Sequence, residues 1–327
     1  MRVFLTFIAL FFLLSCSKQN GKVLHEIKGL AFTMPYKVLL EGANHPKVKE
    51  IAQEILKEAF DEINITYNHW NSDSYLSLIN KNKSNTSFEI STDFCKVLKV
   101  AKDVYYLSDG FYDPTLKPLI SLWKDSLERG KNVSEKDLEG LSFGFDKIVF
   151  TNTMMQKIDP NIELDFDSLI KGHLVDLICE KLHNHGFTNY FVDFSGDIKA
   201  CGKHPSGRAW SVGVLSAKKQ SGSEISRLAL DNAAIATSGS TTQRWLTESC
   251  EILTHIINPK TLRPISVDEK KIATVTVKAR TCILADALAT AAFAYEDLES
   301  LNSFIDKVRN SYEDVDFIVT MYEKDSL

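Results

Sequence analysis

Apolar residues recur at helical spacing soon after the start of the chain. Val48, Ile51, Ile55, Ala59 and Ile63 form one stripe, and Pro46 opens the segment. A second helix is predicted from Thr92 to Leu107, with Phe94, Val97, Ala101 and Val104 on its buried face and Gly110 beyond its end. A third begins near Lys171, where Val175, Ile178 and Leu182 recur and Gly186 supplies a stop. A helix of small residues spans about Ala285 to Tyr295, and another runs from Leu298 to Val308. Val23 to Leu40 reads as two short strands, with Lys37–Leu40 the second. Alternation predicts further strands at Tyr190–Phe194, Trp210–Val214, Glu251–Leu253, Ile272–Val277 and Asp316–Met321. Asn68–Ser74 is a polar loop and Asp113-Pro114-Thr115 a turn signal. Helices and strands mix without strict βαβ alternation, which favours α+β over a doubly wound sheet. No internal repeat or low-complexity linker interrupts the pattern.

The extreme N-terminus breaks it. Met1-Arg2 is followed by an apolar run from Val3 to Leu14 and then by Ser15-Cys16. The run is too short to span a bilayer but has the shape of a secretory signal. Leu13-Leu14-Ser15-Cys16 resembles a bacterial lipobox, with cleavage before Cys16 and lipid on its sulfur. The other reading is an ordinary signal peptide with a chance cysteine. The expected organisation is a signal peptide over 1–15, a lipidated Cys16 with a short tether over 16–22, and one domain over 23–327. The expected location is the bacterial cell envelope, lipid-anchored to a membrane on its extracytoplasmic side.

Composition narrows the classes further. The 327 residues are 44% hydrophobic and 25% charged, as in ordinary globular proteins. A formal net charge of −5 gives no footprint for nucleic acid. Beyond Cys16 the cysteines are Cys95, Cys179, Cys201, Cys250 and Cys282, an odd number with no C-x-x-C pair, so a disulfide framework is not expected. The phosphate-loop, dinucleotide-fingerprint, nucleophile-elbow and H-E-x-x-H motifs are missing, and the histidines show no zinc-ligand spacing.

Five polar features could carry chemistry, each with a plainer alternative. Lys171 sits where a helix starts, and a helix start is already electropositive. Either an anion such as phosphate binds there or the side chain reaches into solvent. Asp286 and Thr290 lie four residues apart in an apolar helix and share a face. Two hard oxygens suit Mg²⁺, completed by water and phosphate; the alternative is an Asp paired with Arg or backbone amides. His255, in Thr254-His255-Ile256-Ile257-Asn258-Pro259, is either a proton carrier or a satisfied core or edge residue. Ala236-Thr237-Ser238-Gly239-Ser240-Thr241 could bond a phosphate or ribose, or simply form a turn. Trp70 is either a stacking platform for a flat ring or a packing residue.

Taken in order, these segments resemble the ApbE family, the FAD:protein FMN transferases. The matching pieces are Trp70–Ser74 running to Asn80, Ser108–Thr115 running to Pro118-Leu119 and Trp123, and Lys171-Gly172 with Val175-Asp176. They continue with Gly196-Asp197, Ala236–Gly239, His255–Thr261 and Ala285–Ala291. The resemblance covers about Phe32 to Ala294. It implies an α+β fold related to the T-fold, with two interleaved sheet-and-helix lobes and the flavin site between them. It also implies a Mg²⁺-dependent reaction on FAD. A Thr or Ser hydroxyl of an acceptor protein attacks the FMN-side phosphorus, AMP leaves, and FMN stays attached through a phosphoester. Acceptors in the family are typically flavoprotein subunits of membrane redox pumps. By the same resemblance, Asp286, Thr290 and the carbonyl of Ser168 match metal-ligand positions. Lys171 would hold phosphate or developing charge, and His255 would deprotonate the acceptor hydroxyl. Trp70 would stack on the flavin ring, and Met34, Asp113, Pro114, Thr115, Thr237 and Ser238 would line its site. The chain departs from the family at Asp167-Ser168, Met34-Pro35-Tyr36, Ser195 and Leu262, where members carry smaller residues or glycine. Such losses matter wherever φ is positive or the backbone approaches closely. Two rival functions follow: a Mg²⁺-dependent FAD pyrophosphatase, and a flavin-binding lipoprotein without catalysis.

Overall fold

A computed structural model describes residues 21–215, 224–240, 244–247, 250–267 and 272–322. The signal peptide and Cys16 lie outside the described residues. The first strand, β1 (Lys22–Ala31), pairs with β2 (Met34–Ala43) along ten residues each. The hairpin is longer than the two short strands predicted, and Lys22 belongs to it rather than to a tether. Helix α1 (Lys47–Thr66) buries Val48, Ala52, Ile55, Leu56, Ala59 and Ile63. Ile51 sits at the edge of that stripe and is partly exposed, with Ala52 in its place.

A short helix, α2 (Tyr75–Lys81), follows the polar loop and is not legible in the apolar pattern. Ser74 caps it by accepting the Ser77 N–H. Strand β3 (Ser87–Glu89) leads to α3 (Thr92–Leu107), which has the predicted limits and a Ser91 cap. Helices α4 (Lys117–Glu128) and α5 (Glu135–Leu138) come next, then β4 (Ile148–Phe150) and β5 (Met154–Lys157). The last two join β3 in a small sheet.

Helix α6 (Ile170–Asn184) carries Lys171 in its first turn, and Gly186 follows its end with φ +85°. Then come β6 (Tyr190–Phe194), β7 (Asp197–Cys201), β8 (Trp210–Leu215), β9 (Glu224–Leu230) and β10 (Ala233–Gly239). They are followed by β11 (Arg244–Leu246), β12 (Ile252–Asn258), β13 (Arg263–Ser266) and β14 (Ile272–Ala279). The described chain closes with α7 (Cys282–Ala294), α8 (Leu298–Ser311) and β15 (Asp316–Met321).

The main sheet runs β1-β2-β6-β7-β10-β14-β15, with every neighbouring pair antiparallel. It thus interleaves strands from the beginning, middle and end of the chain, and the fold is α+β. The stretch Ala236–Gly239, for which a turn is one reading, is instead the second half of strand β10, paired with β14, while only Ala233–Ile235 of that strand also pair with β7. Helix α7 is apolar all round and buried along almost its whole length, as a helix between other layers must be. It meets α6 at Gly172, where a Cβ would lie 2.3 Å from the Cys282 carbonyl oxygen. Only glycine permits that approach, and the approach brings Lys171 to Asp286.

Candidate functional site

One cavity of about 1270 Å³ opens beside the main sheet. It exceeds the roughly 300–1,000 Å³ usual for small-ligand pockets and has room for a dinucleotide. Its inner wall comes from α6, α7, β10 and β14; its rim comes from Trp70, the Phe111–Asp113 segment, β8 and β12.

The inner wall is organised around the start of α6. Lys171 Nζ lies 2.5 Å from Asp197 Oδ2 and 3.4 Å from Asp286 Oδ1. The Gly172 N–H, one of the free amides of the first turn, donates to Asp286 Oδ2 at 3.1 Å. The anion expected at this helix start is therefore supplied by two carboxylates of the chain itself, and Lys171 does not reach into bulk solvent. Burial alone would lower the Lys171 pKa, but Asp197 and Asp286 overcome it and hold the ammonium above its ordinary value. Burial, and then the neighbouring Asp197 carboxylate, push Asp286 up to about 8. Asp176 fastens the same corner: one oxygen accepts the Ile283 N–H at 2.9 Å and the other takes Lys199 at 2.6 Å.

One helical turn beyond Asp286, Thr290 Oγ1 lies 3.1 Å from Ser238 Oγ and 3.4 Å from the Ser168 carbonyl oxygen. That carbonyl is well positioned. Asn80 clasps the backbone of Leu164 from both sides, at 2.8 Å each. Asp165 N–H donates to the Pro114 carbonyl at 2.7 Å, while Phe166 and Leu169 are anchored in the core. Asp286, Thr290 and Ser168 together present a carboxylate, a hydroxyl and a carbonyl. An all-oxygen set of this kind fits Mg²⁺ better than a softer metal.

The rim is looser. Trp70 is 72% exposed, with Lys124 Nζ 4.7 Å from its ring centre. His255 faces the cavity from β12, beside Ile256 and Ile257. Met34, Asp113, Thr237 and Ser238 also line it. Thr237 bonds Thr276 across the sheet at 2.9 Å. Pro114 and Thr115 stand behind the wall. Thr115 is fully buried, bonds Asp113 Oδ1 at 2.6 Å and accepts the Gly144 N–H, so it shapes Asp113 rather than the lining. Burial raises the Asp113 carboxyl to about 6 against those Thr115 bonds.

Two features of the site have no role assigned on sequence grounds. Asp197 opens β7 and is buried; its only signal is the Gly-Asp pair at the end of a predicted strand. Ser195 and Leu262, which stand where glycine is expected, both have positive φ, +52° and +58°. The backbone has kept the glycine conformation without the glycine, at a cost of about 1 kcal/mol each.

A sequence profile of the ApbE family matches residues 32–313. The FAD:protein FMN transferase of Chlamydia trachomatis serovar D is 35% identical over 296 residues, covering 88% of this chain and 89% of its own length. That of Haemophilus influenzae is 30% identical over 302 residues, 88% of this chain and 85% of its own. Among solved structures, the flavin transferase ApbE from Vibrio cholerae superposes with a TM-score of 0.78 at 22% identity, over 93% of this chain and 96% of its own.

Proposed function

The chain belongs to the ApbE family, and from that we propose that it is a FAD:protein FMN transferase. The observation that carries the reading is the buried cluster of Lys171, Asp197 and Asp286 beside Thr290 and the Ser168 carbonyl, at the base of a cavity large enough for FAD. In the reaction, the hydroxyl oxygen of an acceptor Thr or Ser forms a bond to the FMN-side phosphorus. The bond from that phosphorus to the bridging oxygen breaks, and AMP departs with the bridging oxygen. His255 takes the hydroxyl proton on an imidazole nitrogen. Lys171 holds an ammonium against the pyrophosphate, kept cationic and in place by Asp197. Mg²⁺ held by Asp286, Thr290 and Ser168 would supply charge neutralisation of the pyrophosphate and of the departing AMP. Trp70 offers its exposed face to the isoalloxazine ring, and Met34, Asp113, Thr237 and Ser238 shape the space around it.

The acceptor is a flavoprotein, and a subunit of a membrane redox pump suits an enzyme held at a membrane. No helix among the described residues is long and apolar enough to cross a membrane. The attachment proposed is the lipid on Cys16, on the strength of the lipobox-like Leu13-Leu14-Ser15-Cys16. Replacing Cys16 by Ser is expected to release the protein from membranes on fractionation; unchanged sedimentation with membranes would remove the anchor from the reading.

The activity is tested by incubating the full chain with FAD, Mg²⁺ and a threonine-containing acceptor fragment of such a subunit. AMP is followed by chromatography and the acceptor by mass. AMP together with an acceptor heavier by FMN is expected. AMP with an unmodified acceptor would make the protein a pyrophosphatase, and intact bound FAD would make it a flavin-binding protein.

A further inference from the structure

A second group of ligating side chains is assembled next to the cavity by the two segments that carry Trp70 and Ser168. His69 Nδ1 stands 3.5 Å from Asp167 Oδ1 and 4.0 Å from Asp165 Oδ1. One ligating atom from each of the three residues lies within 4.8 Å of the other two. Metal bonds of about 2.0–2.2 Å put tetrahedral ligands about 3.5 Å apart, so small side-chain rotations close this set around an ion.

Two of the three groups are withdrawn from water. The His69 side chain is 8% exposed and that of Asp165 10%. Asp167 is 63% exposed and lines the cavity, which leaves the group open on one side. Among the described residues neither ring nitrogen of His69 makes a hydrogen bond. Both carboxylates stand beyond the ordinary N–H···O length of about 2.7–3.2 Å. Nδ1 instead faces the two carboxylates at a spacing that a shared cation would complete. Asp165 is meanwhile held by backbone bonds, through its own N–H to Pro114 and through Leu164 to Asn80. One of its oxygens accepts the Asp167 N–H at 2.9 Å, and its remaining lone pairs are available to an ion.

We propose that His69, Asp165 and Asp167 form a second cation site, separate from the all-oxygen group at Asp286, and that it takes a divalent transition metal of the zinc or manganese class. The imidazole nitrogen makes the difference, since Mg²⁺ prefers oxygen alone while imidazole with carboxylates suits zinc and its neighbours. A metal there ties the loop carrying Trp70 to the segment presenting the Ser168 carbonyl. Lys117 and Lys124 act on His69 from nearby and oppose a cation, so binding is weaker than three such ligands would otherwise give.

The test is zinc stoichiometry, read without FAD and therefore independent of the transferase assignment. The full chain is dialysed against zinc with Mg²⁺ in excess to hold the all-oxygen group, and bound zinc is measured by elemental analysis. One zinc per chain is expected in the unaltered protein and in Asp286→Ala, with loss in His69→Gln and in Asp167→Asn. The second variant alters an exposed side chain and keeps the test open if the first does not fold. Cobalt in place of zinc should give a spectrum of nitrogen and oxygen ligands. No retained zinc in the unaltered protein, equal zinc in the Asp167 variant, or a cobalt–thiolate band would each overturn the site.

Discussion

The base of the cavity and its rim are built by opposite rules. At the base, Lys171, Asp197 and Asp286 come from three different elements, are mostly buried, and are cross-tied by short polar contacts and a backbone amide. At the rim, Trp70 projects from a loop, 72% exposed, with Lys124 over its ring. Groups that must meet developing charge gain from a fixed, water-poor setting in which nothing needs to reorganise. A group that meets a flat ring needs area and little direction, and a loop supplies it. On the proposed function, the base should therefore govern rate and the rim affinity.

The largest effect expected is at the base. Asp286→Ala should lower AMP release at saturating FAD by about a thousandfold, while leaving FAD binding measurable by flavin fluorescence. Equal losses of rate and binding would dissolve the division between the two regions. Next comes the contact that assembles the base. Gly172→Ala places a methyl group 2.3 Å from a backbone oxygen and should cost about 3 kcal/mol or more, seen as a lowered denaturation midpoint. A native-like midpoint would mean that α6 and α7 can slide apart without harm. At the rim, Trp70→Ala should weaken FAD about tenfold in a binding titration, with the rate at saturation nearly unchanged. A rate loss larger than the affinity loss would move Trp70 into the chemistry.

The smallest effect concerns Asp113, whose carboxyl is raised to about 6 by burial. The folded state holds this proton more tightly than the unfolded chain does. The contribution is therefore most favourable below pH about 4 and is lost as pH rises through about 6. Asp113→Asn keeps an acceptor for Thr115 and removes the cost. Stability at pH 8 should rise by about 1–2 kcal/mol, and the pH dependence between about 4 and 6 should flatten. A variant no more stable than the parent at pH 8 would mean that Asp113 is better solvated than its burial suggests.

Long periodic elements are legible in the amino-acid order alone. Helix α3 has its predicted limits, β6 and β15 lie where alternation puts them, and the α+β class follows from their order. The helix start at Lys171 and the shared face of Asp286 and Thr290 are equally legible, because a single helix sets each spacing. At Ser195 and Leu262, where the family resemblance implies glycine, the structure finds positive φ. These are local properties, decided within a few residues by sterics and periodicity.

What tertiary structure alone decided is which distant groups meet. Ala236–Gly239 has no strand signature of its own, and becomes strand because β14 offers hydrogen bonds along one side, continuing a strand that β7 and β14 flank together at Ala234 and Ile235. The partner of Lys171 could be phosphate, solvent or carboxylate on local grounds. Asp197 settles it from 26 residues away on β7, and Asp286 from 115 residues away on α7, the latter through a helix contact that only Gly172 allows. His69 similarly meets Asp165 and Asp167 only once the chain is folded. Backbone geometry acts over a few residues, whereas burial and charge pairing depend on everything the chain packs beside a group, so the elements can be read locally and the chemistry of the site cannot.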